Sequence, residues 1–334
     1  MISFLLNASI FLILLFSFTN GMKDGCNVAA TTIASRSLSR RSSLLIVCLS
    51  EFSGPFLFGI PVALTVAKGI INIEGLPQGV QSLQMLFSAL LGALLWNLMT
   101  WVFRMPTSSS FALVGGLIGP VLFTFGRGAV PWKVFFVKVI GALFFSPVLG
   151  IIIGFFIFRL LSLVLENAQF KANITIKRVQ MLSLFILGLN HGNNDSQKAM
   201  GIIALLLYFS GKTAQIEVDR WVKFASIGAL VAGIALGGTR IIKTVGYDIF
   251  RVRPIHSLSS HIATVILLLS SNAVGAPVST TQIISSSVMG VGSAFRTKSV
   301  RWSLIFTIFW SWVLTVPLTA SVSILIYLLL RTSL

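Results

Sequence analysis

Apolar runs long enough to cross a bilayer follow one another along nearly the whole of this 334-residue chain. A helix needs about 20 apolar residues to span the hydrocarbon core, and only helices or closed barrels satisfy every backbone group there. Barrel strands alternate with period two; runs such as IIIGFFIF, residues 151–158, do not. The chain therefore reads as an all-α polytopic membrane protein with almost no extramembrane domain. Composition agrees, being 55% hydrophobic and 10% charged with a mean hydropathy of +0.95, against about 25% charged residues in a soluble domain.

The net charge of +17 does not signal nucleic acid, which would need a basic face on a soluble domain. Nearly all Lys and Arg stand at the ends of apolar runs, where the positive-inside rule expects them. Cys26 and Cys48 make no metal or redox spacing. The N-terminus is apolar from Ile2 with no basic segment before it, so residues 2–18 read as a first span rather than a cleaved signal peptide.

Polar motifs interrupt these runs at a fixed offset. GMKDGCN carries Asp24 and GNNDSQK carries Asp195, 171 positions apart; PTSSS and PVSTT open at Pro106 and Pro277, and Gly119 and Gly290 follow, all at the same offset. The chain reads as two homologous repeats, 1–170 and 171–334. Each holds five apolar segments: 2–18, 44–71, 80–103, 110–126 and 132–165, then 179–210, 221–246, 261–275, 278–295 and 302–330. The fourth of each is short, glycine-bearing and opens with hydroxyls, as a broken or re-entrant segment would. Transporters are often built this way, with the site between repeats near the midplane.

Charge bears on the orientation. Without Lys23 and Lys198, which lie inside motifs, 23 of the 25 basic residues remain. If every segment crosses and the N-terminus is outside, 15 of them, Arg36, Arg104, Arg178, Arg240 and Arg301 included, face the cytoplasm. Re-entrant fourth segments alone would move the cluster from Arg240 to Arg253 outside and remove the bias. An odd number of crossings per half follows, with inverted repeats, both termini outside, and a multi-pass inner (plasma) membrane location.

An ionisable residue at bilayer depth is costly and marks a functional site by default. Asp24 and Asp195 are such residues. Gly21, Gly25 and Gly192 beside them would loosen the helix. Freed carbonyls with a carboxylate suit a small cation, and freed N–H groups at a helix start suit an anion. Ser108, Ser109 and Ser110 after Pro106, and Ser279, Thr280 and Thr281 after Pro277, supply helix starts with hydroxyl donors. Recurrence at one offset separates these hydroxyls from Ser and Thr that merely bond to the preceding turn. Lys23 and Lys198 are at hand as ion-pair partners. Glu51, inside the second span, has no acidic mate, since Val222 stands at its repeat position, and reads as a candidate proton or cation site. His191 is either a helix-end residue or part of the site; His256 and His261 are expected at the membrane interface.

At these residues the sequence resembles the inorganic phosphate transporter (PiT) family. GMKDGCNVAATTIASRSLS resembles its first signature, HGNNDSQKAMGII its second in the bacterial Gln-Lys form, and PTSSSFALVGGLIG and PVSTTQIISSSVMG its hydroxyl signatures. The resemblance covers both halves in order. It implies a secondary symporter importing phosphate by alternating access, with Na⁺ or H⁺ as coupling ion and no other cofactor. It places Asp24, Asn27, Asn194, Asp195, Ser108, Ser109, Ser279, Thr280 and Thr281 in the substrate and ion site. Two departures matter: Lys23 replaces an uncharged polar residue and Cys26 the common Ala, while Lys198 stands where Na⁺-coupled members have Asn. A fixed ammonium neutralises a nearby carboxylate and competes with Na⁺. The expectation is therefore H⁺ coupling or carriage of a metal–phosphate complex.

Sulfate, carried by similar permeases, is the alternative substrate, and Na⁺-coupled phosphate symport the alternative mechanism. Sulfate has no proton to donate near neutral pH, whereas phosphate has one or two for the two aspartates. An intramembrane hydrolase built on Asp195 and His191 is disfavoured because the histidine is not repeated; a passive channel, the third reading, would show flux that does not saturate and needs no gradient. The reading assigns phosphate and membrane lipid as partners, excludes nucleic acid, allows a homodimer and leaves any metal unassigned.

Overall fold

The computed structural model describes residues 1–103, 105, 107–166, 172–237 and 244–333, and among these it is helical with no strand. Arg104, Pro106, Lys171, Arg240 and Lys243, used in the motif and charge arguments, lie outside the described residues. The first half comprises α1 (Ile2–Ala34), α2 (Arg40–Leu57), α3 (Pro61–Gly69), α4 (Val80–Val102), α5 (Ser109–Phe125) and α6 (Trp132–Val164). The second comprises α7 (Ala172–Phe209), α8 (Arg220–Leu236), α9 (Pro254–Val274), α10 (Thr280–Arg296) and α11 (Trp302–Ser333). Five described helices are long and apolar enough to cross a membrane, six if the bent pair of the second segment is one span. The outer faces are apolar: α6 exposes Phe145, Phe156 and Leu163, and α11 exposes Phe306, Trp310 and Leu325. Lipid, not water, is the solvent such faces require.

Three details differ from the sequence reading. First, the second segment is not one straight span. Its two parts meet at 75°, because Pro61 lacks the N–H that would continue α2 and instead opens α3 at its first turn. Second, the aspartate motifs do not unwind their helices. α1 widens to a π-helical turn over Gly21–Gly25, and α7 stays α-helical through HGNNDSQK. Third, the third and fourth segments are not independent rods but pack on each other as pairs. Gly116 of α5 faces the Ala89 carbonyl of α4, and Thr100 and Thr107 both bond Lys23. These contacts make α4 and α5 an antiparallel hairpin with its tip at Lys23. Likewise the His256 and Phe295 rings meet at 4.7 Å at one end of α9 and α10, while Asn272 and Ala276 both bond Asn194 at the other.

The two hairpins approach from opposite ends of α1. The α4 arm packs along the part of α1 before Asp24, whereas Phe295, at the far end of the second hairpin, shares a pocket with Ala34. Elements of the two halves interlock: α2 packs on α7, α8 on α1, α11 on α5, and the later part of α6 on α10.

Glycine sets the closest of these approaches. A Cβ on Gly192 would overlap the backbone of Glu51, and one on Gly54 would overlap the carbonyl of Leu189. Backbone is not able to move aside as a flexible side chain does. Gly192→Ala should therefore push α2 from α7 and cost about 1–3 kcal/mol, as overpacking does. Thermal unfolding in detergent checks it; an unchanged melting temperature would show that the contact is slack.

Candidate functional site

Asp24 on α1 and Asp195 on α7 are both buried where the hairpin tips converge. Ser109 Oγ donates to Asp24 Oδ2 at 2.6 Å, and Thr281 Oγ1 donates to Asp24 Oδ1 at 2.5 Å. Asn20 Nδ2 donates to Asp195 Oδ2 at 2.9 Å, and Thr280 Oγ1 reaches the same oxygen at 3.4 Å. Ser109 and Thr280 are repeat mates, 171 apart, and each serves the aspartate of its own half. Each aspartate also accepts from the opposite half, through Thr281 and Asn20. Both carboxylates are thus held by donors from two bodies of the protein.

Ser108 and Ser279 do something else. Ser108 Oγ accepts from the Phe111 N–H at 3.1 Å, and Ser279 Oγ accepts from the Gln282 N–H at 3.4 Å. They are N-caps, which fix the starts of α5 and α10. A helix start presents N–H groups that have no intrahelical acceptor and the positive end of the dipole. Two such starts meet here: Ser110 Oγ of the first tip donates to the Val278 carbonyl of the second at 2.9 Å. Asn27 Nδ2 donates to Thr281 Oγ1 at 3.3 Å. Asn194 Nδ2 donates to Asn272 Oδ1 at 2.8 Å.

The two lysines divide their work. Lys23 precedes its aspartate and Asn27 follows by three; in the second motif Asn194 precedes and Lys198 follows by three. Residues three apart share a helix face and adjacent ones do not. Lys198 Nζ accordingly donates to Asp195 Oδ1 at 2.6 Å and to the Val278 carbonyl at 3.0 Å. Lys23 Nζ turns to Thr107 Oγ1 at 2.6 Å, Asn97 Oδ1 at 3.0 Å and Thr100 Oγ1 at 3.3 Å. Thr107 and Val278 are themselves repeat mates, so each ammonium ties the equivalent residue of its own hairpin tip.

Glu51 joins the site through His191. Both are fully buried. His191 Nδ1 lies 2.9 Å from Glu51 Oε1, and its Nε2 lies 3.4 Å from Asp195 Oδ2. Glu51, His191, Asp195 and Lys198 form one chain of ionisable groups. Among the described residues, no group of three or more His, Cys, Asp or Glu is placed to hold a metal ion.

Several participants escape a motif reading. Asn20 had a signal, as the repeat mate of His191. Gln197 lies inside the second motif, in its Gln-Lys form, but with no role assigned to it: its Oε1 accepts from the Val62 and Ala63 N–H groups at 2.9 and 3.1 Å, and its Nε2 donates to the Gly59 carbonyl at 3.0 Å. It thereby pins the bend between α2 and α3 to α7. Asn97 and Asn272 stand shortly before PTSSS and PVSTT but belong to neither motif. His256 and His261 are buried inside the protein; His261 Nδ1 is 3.0 Å from Ser183 Oγ and its Nε2 2.9 Å from Thr31 Oγ1.

Residues 20–323 match the sequence profile of the phosphate transporter family. The chain belongs to that family. It is 34% identical over 320 residues to the "probable low-affinity inorganic phosphate transporter" of Bacillus subtilis (strain 168), covering 95% of each chain. It is 36% identical over 316 residues to the protein of the same description from Rhizobium meliloti (strain 1021), covering 94% of this chain and 93% of that one. A solved structure described as the sodium-dependent phosphate transporter superposes with a TM-score of 0.90 at 25% identity, over 99% of this chain and 100% of that one. The transporter is therefore a membrane carrier of this family and not an enzyme, and in it the aspartates, hydroxyls and lysines described above lie at the meeting point of the two hairpins.

Proposed function

We propose that the protein is a secondary transporter that moves inorganic phosphate with a proton, by alternating access about Asp24 and Asp195. The observation that carries this reading is the convergence of Ser109 and Thr281, one from each hairpin tip, on the single carboxylate of Asp24. Hydroxyls and helix starts are donors for a tetrahedral oxyanion; a carboxylate accepts from a protonated phosphate oxygen. Phosphate would take over the hydroxyl donors and offer its own O–H to Asp24. Sulfate offers no such proton, so the site favours phosphate. A site shared between bodies changes when one body rocks against the other, which is what alternating access requires.

The two halves, 1–170 and 171–334, are then inverted repeats. A hairpin enters and leaves on one side, so α1, the α2–α3 pair and α6 supply three crossings in the first half. This odd number keeps Arg36, Arg178, Arg251, Arg296 and Arg301 on one face, the cytoplasmic one under the positive-inside rule, with both termini outside.

Proton rather than sodium coupling is supported by Lys198, whose ammonium already neutralises Asp195 at 2.6 Å. Glu51 and His191 supply buried groups to load and release the proton. Glu51→Gln keeps the shape but not the titration, and should cut proton-driven uptake about tenfold or more, a typical contribution of a proton-transferring group being at least that large, while phosphate exchange without a gradient continues. Equal loss of exchange and of driven uptake would assign Glu51 to packing instead.

The test is uptake of radiolabelled phosphate into proteoliposomes under an imposed H⁺ gradient, then a Na⁺ gradient, with excess sulfate as competitor. Uptake driven by H⁺ alone and indifferent to sulfate is expected. A strict Na⁺ requirement would refute the coupling, and accumulation of labelled sulfate in place of phosphate would refute the substrate. Repeating the H⁺ arm with divalent cations chelated shows whether a metal travels with the anion.

A further inference from the structure

The polar side chains of the site do not stop at Asp24. Along α1 they continue through Asn27, Thr31 and Ser35, at the three-to-four spacing that puts them on one face. Asn27 is fully buried, and its Oδ1 has no hydrogen-bond partner among the described residues. Thr31 Oγ1 lies beside His261 and accepts from Ser257 Oγ at 3.0 Å; Ser35 Oγ is 2.9 Å from Ser37 Oγ. The lane has no counterpart in the other half. The repeat mates of Thr31 and Ser35 are Ile202 and Leu206, and those of Ser257 and His261 are Leu86 and Leu90.

At its end the lane meets a pocket of about 540 Å³ lined by Arg36, Arg251, Arg253 and Tyr247, with Phe250 and Phe295 among its apolar walls. The Arg253 guanidinium lies over the Phe295 ring, 5.7 Å from its centre. Asp248, the nearby acid, is directed to Arg301 at 4.0 Å.

Arg36 is the telling residue. The Arg36 N–H donates to the Ile33 carbonyl at 3.0 Å and the Ser37 N–H to the Thr32 carbonyl at 3.2 Å. This is the pair of bonds that ends a helix on a left-handed residue, a position usually held by glycine. Arg36 takes it with φ 56°, the one non-glycine with positive φ among the described residues, where a Cβ is disfavoured. A basic residue needed only to orient the chain could stand anywhere in the loop. Here an arginine occupies a strained turn and faces two others across one concavity.

We propose that this pocket is a second oxyanion site, which takes inorganic phosphate on its way between Asp24 and the basic face of the protein. Guanidinium groups bind phosphate oxygens in pairs with charge assistance, and the hydroxyl lane supplies polar contacts between the two sites. The proposal rests on the reading that phosphate is the cargo.

Arg36→Gly separates the side chain from the fold, because glycine relaxes the turn while deleting the guanidinium. The experiment measures binding of ³²P-labelled orthophosphate by equilibrium dialysis, with the protein in phosphatidylcholine nanodiscs. Wild type should show two components. Arg36→Gly should keep or raise the melting temperature and weaken one component about tenfold, the loss of one charge-assisted hydrogen bond. The exposed pair Arg251→Gln/Arg253→Gln should weaken the same component. Isotherms of both variants that superpose on wild type, while wild type still takes up phosphate, would overturn the proposal alone. A component that disappears when phosphatidylglycerol replaces part of the phosphatidylcholine would also overturn it, by assigning the pocket to a lipid headgroup. A wild type that neither binds nor accumulates phosphate would refute the cargo and this site together.

Discussion

Asp24→Asn is expected to lower phosphate uptake about a hundredfold or more while the protein still inserts and purifies as wild type. The carboxylate accepts from Ser109 at 2.6 Å and from Thr281 at 2.5 Å. A carboxamide has one acceptor oxygen, so its NH₂ group would face one of these hydroxyls, which would have to turn from donor to acceptor. Hydrogen bonds to a charged group contribute about 1.5–3 kcal/mol each. Losing the charge weakens the bond that a protonated phosphate oxygen would donate to this residue, by about 3 kcal/mol at the upper end of that range, and that is roughly a hundredfold. The two hairpin tips would no longer share an acceptor, so binding and the change between faces should fail together. Uptake into proteoliposomes, normalised to reconstituted protein, checks it. Wild-type uptake by Asp24→Asn would remove this residue from the mechanism and with it the central argument for the site.

Replacing Lys198 should change the driving ion. In Lys198→Asn the Asp195 carboxylate keeps Asn20 and Thr280 but loses the ammonium 2.6 Å away. Removing one partner of a buried pair costs about 3–5 kcal/mol because the remaining charge is uncompensated. The site can recover that by taking a proton or a cation. Proton-driven uptake should fall about a hundredfold, and a dependence on external Na⁺ should appear, with the introduced carboxamide oxygen and the Asp195 carboxylate as hard oxygen ligands. Lys198→Met removes the ammonium without adding an oxygen, and should lose proton-driven uptake without gaining a Na⁺ response. Uptake compared in Na⁺ and choline media decides. If Lys198→Asn retains full proton-driven uptake, the lysine is structural and the coupling argument falls.

These two predictions concern residues whose importance is visible in the sequence but whose partners are not. Offset 171 pairs Asp24 with Asp195 and Ser109 with Thr280 directly. The helix starts at Ser108 and Ser279 follow from proline and hydroxyls. Even the contrast between the lysines obeys helix periodicity: one precedes its aspartate by one residue, and the other follows by three on the same face. Glu51 illustrates the limit. As a lone acid in an apolar span it is conspicuous, yet nothing in the sequence joins it to His191, 140 positions away. The joint is made where Gly192 lets the backbone of α2 come close, and such a contact belongs to no motif.

Local rules therefore determined the membrane class, the recurrence of motifs at one offset, the family signatures and most of the side chains at the candidate site. Each is a matter of hydropathy, spacing along one helix or capping, and these act over a few residues. Tertiary structure alone decided that the third and fourth segments fold back as hairpins, that α7 stays helical through its polar motif, and that both carboxylates take donors from the two halves. It also decided that His261 is buried against Thr31 and Ser183 and that three arginines from two distant segments face one pocket. Those outcomes depend on which helix faces meet, and in an apolar solvent that is chosen by close backbone approach at glycine and by the demand that every buried polar group find a partner.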